Sequence, residues 1–243
     1  MTKTLGIIGA GMIGGTVARL AVAAGLDVVL SNSRGPESLS GLAAELSGLG
    51  GGQVRAATPA GAARDADLVV AAVPLHALAL LPTRELAGRT VVDAMNHYPE
   101  RDGDLTSIGP AGLTSSELVQ HRLPDSRVVK GLNNVFFRHL LALARPAGAF
   151  DRSALPIAGD HPGAKEETTR FLDLLGYDTV DYGTLADGWR TEPGTPAQAM
   201  PYMLEPPEGL APAEMQQWIF QAPAAPASTG TIRRILDTTV RIR

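Results

Sequence analysis

Gly6-Ile-Ile-Gly9-Ala-Gly11-Met12-Ile13-Gly14 is the stretch on which the reading of this chain turns. It opens inside a short apolar run, residues 4–8, that reads as a buried strand. It closes inside residues 12–24, which read as a helix. A GxGxxG pattern between a strand and a helix has a specific physical use. Gly9 permits a tight turn, Gly11 lets a pyrophosphate approach the backbone, and Gly14 lets the helix pack close to the strand. The N–H groups at that helix start, those of Met12 and Ile13 among them, and the positive end of the helix dipole suit phosphate oxygens. The plain alternative is a glycine-rich turn with no ligand. The strand before it and the helix after it favour a dinucleotide.

The next strand selects the cofactor. Residues 27–31 end in Ser31-Asn32-Ser33-Arg34-Gly35-Pro36. NAD-binding proteins usually place an acidic residue at this tip for the ribose hydroxyls. Here there is none, and Asp27 lies at the other end of the strand. Two hydroxyls, an amide and a guanidinium suit a 2′-phosphate instead, with Arg34 supplying charge-assisted hydrogen bonds. A capped, exposed turn is the alternative, because serine and asparagine also cap helices. The missing acid favours NADP(H) over NAD.

Outward from this unit the pattern repeats. Residues 53–56, 68–73, 90–94 and 127–131 read as strands. Helix-like stretches lie at 36–46, 59–63, 76–81 and 115–120. Residues 155–158 and 179–181 are further strand candidates on either side of a helix at 162–175. Alternating strands and helices predict an α/β fold: a Rossmann-type, doubly wound parallel sheet covered on both faces. After residue 184 prolines cluster and residues 222–227 read as an extended Ala/Pro stretch. This predicts a dinucleotide-binding domain over residues 1–184 and a small proline-rich C-terminal appendage over 185–243, acting as a cap over the site or a dimer arm.

Bulk properties narrow the function classes. The net charge is −4, from 21 basic and 25 acidic residues, with no long basic run, which disfavours nucleic acid and anionic membranes as partners. There is no cysteine, so disulfides, thiolate metal sites and cysteine nucleophiles are excluded. The five histidines show no metal-ligand spacing, and no metal is expected. Residues 5–30 are apolar overall but broken by glycines, Arg19 and Asp27, unlike a membrane span or secretory signal. A soluble cytoplasmic protein is the resulting expectation.

The glycine loop and the Ser31–Pro36 tip together resemble bacterial proteins of the F420-dependent NADP oxidoreductase family. The likeness continues through Ala72-Val73-Pro74-Leu75, Val91-Val-Asp93-Ala-Met-Asn96-His97-Tyr98-Pro99, Thr114-Ser-Ser-Glu117, Val129-Lys130-Gly-Leu-Asn133-Asn134, Gly159-Asp160 and Gly183-Thr-Leu-Ala-Asp-Gly-Trp189-Arg190. It is closest to a branch known only as predicted dinucleotide-binding enzymes. The resemblance implies a Rossmann sheet with a small helical C-terminal part, a homodimer, and hydride transfer between NADP(H) and the deazaflavin coenzyme F420. The domain is also similar to the cytoplasmic part of membrane ferric reductases, where NADPH reduces a flavin. Founding members usually carry GGTGxxG where this chain has Gly9-Ala-Gly11. Their C-terminal part is apolar and helical where this one is proline-rich.

Candidate residues for the acceptor follow from the rule that ligands bind beyond the carboxyl ends of parallel strands. The resemblance places Val73, Pro74 and His76 along the cofactor's ribose and nicotinamide; a solvated His76 is the alternative. Asn96 and His97 follow the next strand, as nicotinamide or substrate contacts or as turn residues. Lys130 and Asn133 resemble the proton-transfer and substrate-orienting pair of beta-hydroxyacid dehydrogenases, or else close the strand ends. Trp189 and Arg190 suit stacking on a flat acceptor or a dimer contact. Three readings remain: reduction of a deazaflavin or flavin ring or of a small unsaturated substrate; an NADPH-dependent imine or carbonyl reductase using Lys130, Asn133 or His97; and an NADP(H)-binding sensor without catalysis.

Overall fold

The computed structural model describes residues 3–105 and 109–241. Its eight strands are β1 (Thr4–Ile8), β2 (Asp27–Ser31), β3 (Val54–Ala56), β4 (Leu68–Ala71), β5 (Thr90–Asp93), β6 (Arg127–Lys130), β7 (Ala154–Gly159) and β8 (Asp178–Asp181). They form one sheet in the order β3-β2-β1-β4-β5-β6-β7-β8. The first six run parallel in the doubly wound order. The chain reverses direction of travel across the sheet between β1 and β4, so their carboxyl ends flank a crevice.

Alternation along the strands explains the two covered faces. Val70, Val92 and Val129 join a core on one side of the sheet, with Val17 and Val22 of α1 (Met12–Ala23). Val69, Val91 and Val128 join a second core, with Ala63 of α3 (Pro59–Asp65) and with Leu118 and Val119 of α6 (Ser115–Arg122). Successive residues of a strand point to opposite faces, so an unbroken run of valines is buried on both.

The expected parallel sheet is corrected at one joint. β7 pairs antiparallel with β6, and β8 then runs parallel to β7. A parallel neighbour requires a crossover that carries the chain back along the sheet. Between β6 and β7 there is one short helix, α7 (Phe137–Ala142), and it packs against α1. The chain therefore re-enters the sheet at the carboxyl end of β6, where it left it.

Two expected helices also differ. Residues 36–46 divide into a 3-10 turn, Pro36–Leu39, and α2 (Ser40–Ser47). The helix expected at 76–81 is a 3-10 helix, Leu75–Leu80, followed by α4 (Thr83–Leu86). After β5 a single turn, α5 (Pro99–Asp102), was not apparent from the sequence. The helix after β7, α8 (Pro162–Leu174), lies where residues 162–175 predict it.

From Leu185 onward the chain runs as a 3-10 helix (Leu185–Thr191), then α9 (Pro212–Gln221) and α10 (Thr229–Thr238). This part packs on the sheet. Tyr202 is buried, and its hydroxyl donates to Ala154 O at 2.9 Å while accepting from Asn134 at 3.2 Å. The Ala/Pro stretch is extended, and Ala154 N donates to Ala227 O at 2.8 Å. Ile232 and Leu236 of α10 are buried in the same core as Tyr177 and Val180. Among the described residues no helix is long and apolar enough to cross a membrane.

Candidate dinucleotide site

The three glycines of the first turn are required for three different reasons. Gly9 has φ +100°, a left-handed value that disfavours side chains, and an added Cβ would stand 2.5 Å from Ala72 O. A Cβ at Gly14 would strike Gly9 O, so α1 packs at contact distance on the turn. At Gly11 the space is open, with nothing within 4 Å of the Cβ position. A glycine there serves no packing purpose, and leaves backbone bare for something outside the protein. The turn is held from below: Gly9 N and Ala10 N both donate to Ser31 O at 3.0 Å. The first intrahelical bond of α1 runs from Gly15 N to Gly11 O, so the N–H groups of Met12, Ile13 and Gly14 precede it at the crevice.

The tip of β2 forms the far wall. Asn32 Oδ1 accepts from Arg34 N at 3.0 Å, and its amide donates to Ser38 Oγ at 2.9 Å. This local turn lifts Ser33 and Arg34 into the open, with Gly35 at φ +93° behind them. One cleft of about 570 Å³ joins this tip to Gly9 and Gly11, and then to Val73 and Pro74 after β4. Thr58, Pro59, Ala77, Leu80 and Leu81 complete its walls. Thr58 caps α3 at the carboxyl end of β3, a position that the strand-end rule would have singled out. Charge at Arg34, bare backbone at Gly11 and helix N–H groups in one elongated cleft fit a dinucleotide carrying an extra phosphate on its adenosine side.

Several expected contacts fall elsewhere. Ser31 is fully buried, and its hydroxyl donates to Ile7 O at 2.7 Å, so it locks β2 to β1 and does not face the cleft. His76 lies on the other side of the Leu75–Leu80 helix, with Nδ1 2.8 Å from Asp102 Oδ1. Asp102 is enclosed. Burial acts to raise its pKa, but hydrogen bonds from Arg101, from Tyr98 N–H and from His76 hold it well below the usual carboxylate range. His97 points its Nε2 at Gly103 O, 2.7 Å away, and so closes the end of α5.

The candidate catalytic pair is interior. Lys130 is wholly buried; its ammonium lies 2.6 Å from Met95 O, 3.3 Å from Ser115 Oγ and 3.4 Å from Asp93 Oδ2. Asp93 is likewise buried, and also accepts from Ser116 Oγ at 2.6 Å and Met95 N at 2.9 Å. Ser115 passes the chain on to Glu192 Oε1 at 2.5 Å. All three ammonium donors have acceptors within the protein, so Lys130 ties β5, β6, α6 and the 185–192 segment together beneath the site. Asn133 donates to Asn96 Oδ1 at 3.0 Å and to Thr191 O at 2.9 Å, and Asn96 returns a bond to Asn133 O at 2.7 Å. Both N–H groups of the Asn133 amide are thus taken within the protein, while Asn96 spends one of its own on the Asn133 backbone. Next to them the Tyr182 hydroxyl lies 3.0 Å from Thr191 Oγ1; burial, outweighing that bond, pushes its pKa up and keeps it protonated.

Trp189 is also engaged. The guanidinium of Arg190 lies 4.7 Å from its ring centroid and that of Arg241 5.9 Å. Arg190 further donates to Leu236 O at 2.9 Å and Thr239 O at 3.1 Å, pinning the end of α10. Arg190 thus fastens the end of α10.

Comparison with known proteins agrees with this geometry. A family model described as NADP oxidoreductase, coenzyme F420-dependent, matches residues 4–97, which hold the glycine turn, the β2 tip and the β4 loop. The hypothetical protein SMa0349 of Sinorhizobium meliloti is 32% identical, with TM-score 0.68 over 82% of this chain and 94% of that one. A candidate F420-dependent NADP reductase of Arthrobacter sp. FB24 is 25% identical, with TM-score 0.60 over 76% of this chain and 86% of its own. The protein YjhV of Escherichia coli K12 is 40% identical over 52 residues, 21% of this chain, which spans only 38% of YjhV. By these matches the chain belongs to the coenzyme F420-dependent NADP oxidoreductase family, a family of nicotinamide-dependent oxidoreductases.

Proposed function

We propose that this protein binds NADPH in the Gly9–Arg34–Val73 cleft and catalyses hydride transfer from it to a flat deazaflavin- or flavin-type ring or a small unsaturated substrate. One observation carries the cofactor reading: the exposed Arg34, on a tip without any carboxylate, shares a cleft with the open backbone at Gly11. When bound, the nicotinamide supplies the hydride, two electrons with a proton, and the acceptor takes it up.

The residues here act by holding and shielding. Gly11 and the N-terminal N–H groups of α1 fit the pyrophosphate. Arg34 and Ser33 fit the 2′-phosphate. Val73 and Pro74 give a rigid edge along which the reduced ring is positioned. Ring-to-ring transfer is mostly a matter of such positioning and needs no protein nucleophile. The likeness to F420-dependent NADP oxidoreductases supports a ring acceptor over an imine or carbonyl.

The test is loss of absorbance at 340 nm with NADPH and a panel of deazaflavin, flavin, imine and carbonyl acceptors. Turnover with a ring acceptor is expected. Turnover confined to imines or carbonyls would replace this reading with the reductase alternative. NADPH binding without oxidation by any acceptor would replace it with the sensor.

A further inference from the structure

The 3-10 helix Leu75–Leu80 separates two cavities. With three residues per turn its side chains fall into three rows. Leu75 and Leu78 are buried against the sheet. Ala77 and Leu80 face the dinucleotide cleft. His76 and Ala79 face a second, larger groove of about 940 Å³ between this helix, α4 and α6. Nothing in the proposed reaction uses that second groove.

Its lining has a definite chemistry. Ala79, Ala87 and Pro124 give an apolar floor over the buried Leu78 and Leu118. His76, Arg84, His121 and Arg122 also line the groove, with Asp125. Asp102 also reaches the groove, but its charge is matched by Arg101, which bonds both of its oxygens at 2.9 and 2.7 Å. Asp102 in turn fixes the His76 ring by Nδ1, which leaves Nε2 without a hydrogen bond among the described residues. Arg122 is held across the groove by donating to Ala79 O at 2.8 Å. Among the described lining residues, two guanidinium groups and two imidazoles thus stand about an apolar floor, against one exposed carboxylate.

We propose that this groove is a second ligand site, distinct from the dinucleotide cleft, for a small organic carboxylate with an apolar body. The apolar part lies on Ala79, Ala87 and Pro124. The carboxylate is met by Arg122 and Arg84, whose planar forks match its geometry, with His121 as a further donor. Because the two cavities lie on opposite rows of one helix, both can be filled at once.

Isothermal titration of the full chain with phenylacetate and with its neutral isostere phenylacetamide tests this, each with and without saturating NADP+. Phenylacetate should bind at least about tenfold more tightly than the amide, in both conditions. The double variant His121→Gln, Arg122→Gln should lose that preference, and Arg84→Gln should lose part of it; thermal melts confirm that each is folded. Equal binding of the two probes, binding of neither, a preference intact in the folded variants, or displacement by NADP+ would each overturn the proposal. Failure of NADP+ itself to bind would count against the dinucleotide reading alone, since the probe titration without cofactor stands independently.

Discussion

At the scale of single residues, the glycine turn separates folding from binding. Gly9 and Gly14 have no room for a methyl group, whereas Gly11 has. Gly11→Ala should therefore melt within a degree or two of the wild type, yet bind NADPH more weakly by about tenfold, because the new methyl occupies the phosphate's approach. A melt and a titration on the same sample check both halves. Arg34→Ala should weaken NADPH by about 1.5–3 kcal/mol, the usual worth of a charge-assisted hydrogen bond, and NADH little. Equal weakening of both would make Arg34 a structural residue. Asp102 gives a pH signature. Its pKa is depressed in the fold, so the stability it contributes is complete above the ordinary carboxylate pKa of about 4 and is lost as pH falls below it. Asp102→Asn should lower the melting temperature at pH 7, and its deficit should shrink between about pH 4 and pH 2. Which residues carry these effects was unevenly legible. Gly9, Gly11, Gly14 and Arg34 sit in a pattern whose spacing encodes geometry. Ser31 could not be told from Ser33 by chemistry; only the β2 register, which pairs it with Ile8, shows that its hydroxyl turns inward.

At the scale of elements, the buried Asp93–Lys130 pair fastens the carboxyl edge. The register sets the two opposite one another on β5 and β6, and Ser115 and Ser116 bring in the start of α6. Removing one partner leaves an uncompensated buried charge, which typically costs about 3–5 kcal/mol. Lys130→Met should show that loss in denaturant unfolding, and Asp93→Asn with Lys130→Met should recover much of it. A mild single variant with sharply reduced turnover would instead make Lys130 part of the chemistry. The sequence displayed this lysine at a strand end, where an acid–base group and a strut look alike; its partners come from segments 15 to 37 residues away and are invisible to local pattern. The six parallel strands were legible for the opposite reason, since valine runs flanked by helical periods are local signals. The reversal at β7 depends on where α7 packs, which is a tertiary fact.

At the scale of the whole molecule, the proline-rich end is fastened to the sheet by interactions of low sequence visibility. Tyr202 bonds to Ala154, Asn134 bonds to Ala197 O at 2.9 Å, and Arg190 holds the end of α10. Proline content announced an irregular path but not its destination. The result is a sheet whose carboxyl edge is braced from below by the Lys130 network and from the side by the C-terminal segment, with the dinucleotide cleft open between β1, β2 and β4. The claim that this cleft is built for a 2′-phosphate is tested most directly by the dissociation constants of NADPH and NADH for the wild-type protein, measured side by side by calorimetry at one ionic strength. NADPH is expected to bind at least tenfold more tightly, a difference of about 1.4 kcal/mol. Equal constants, or a preference for NADH, would contradict the account.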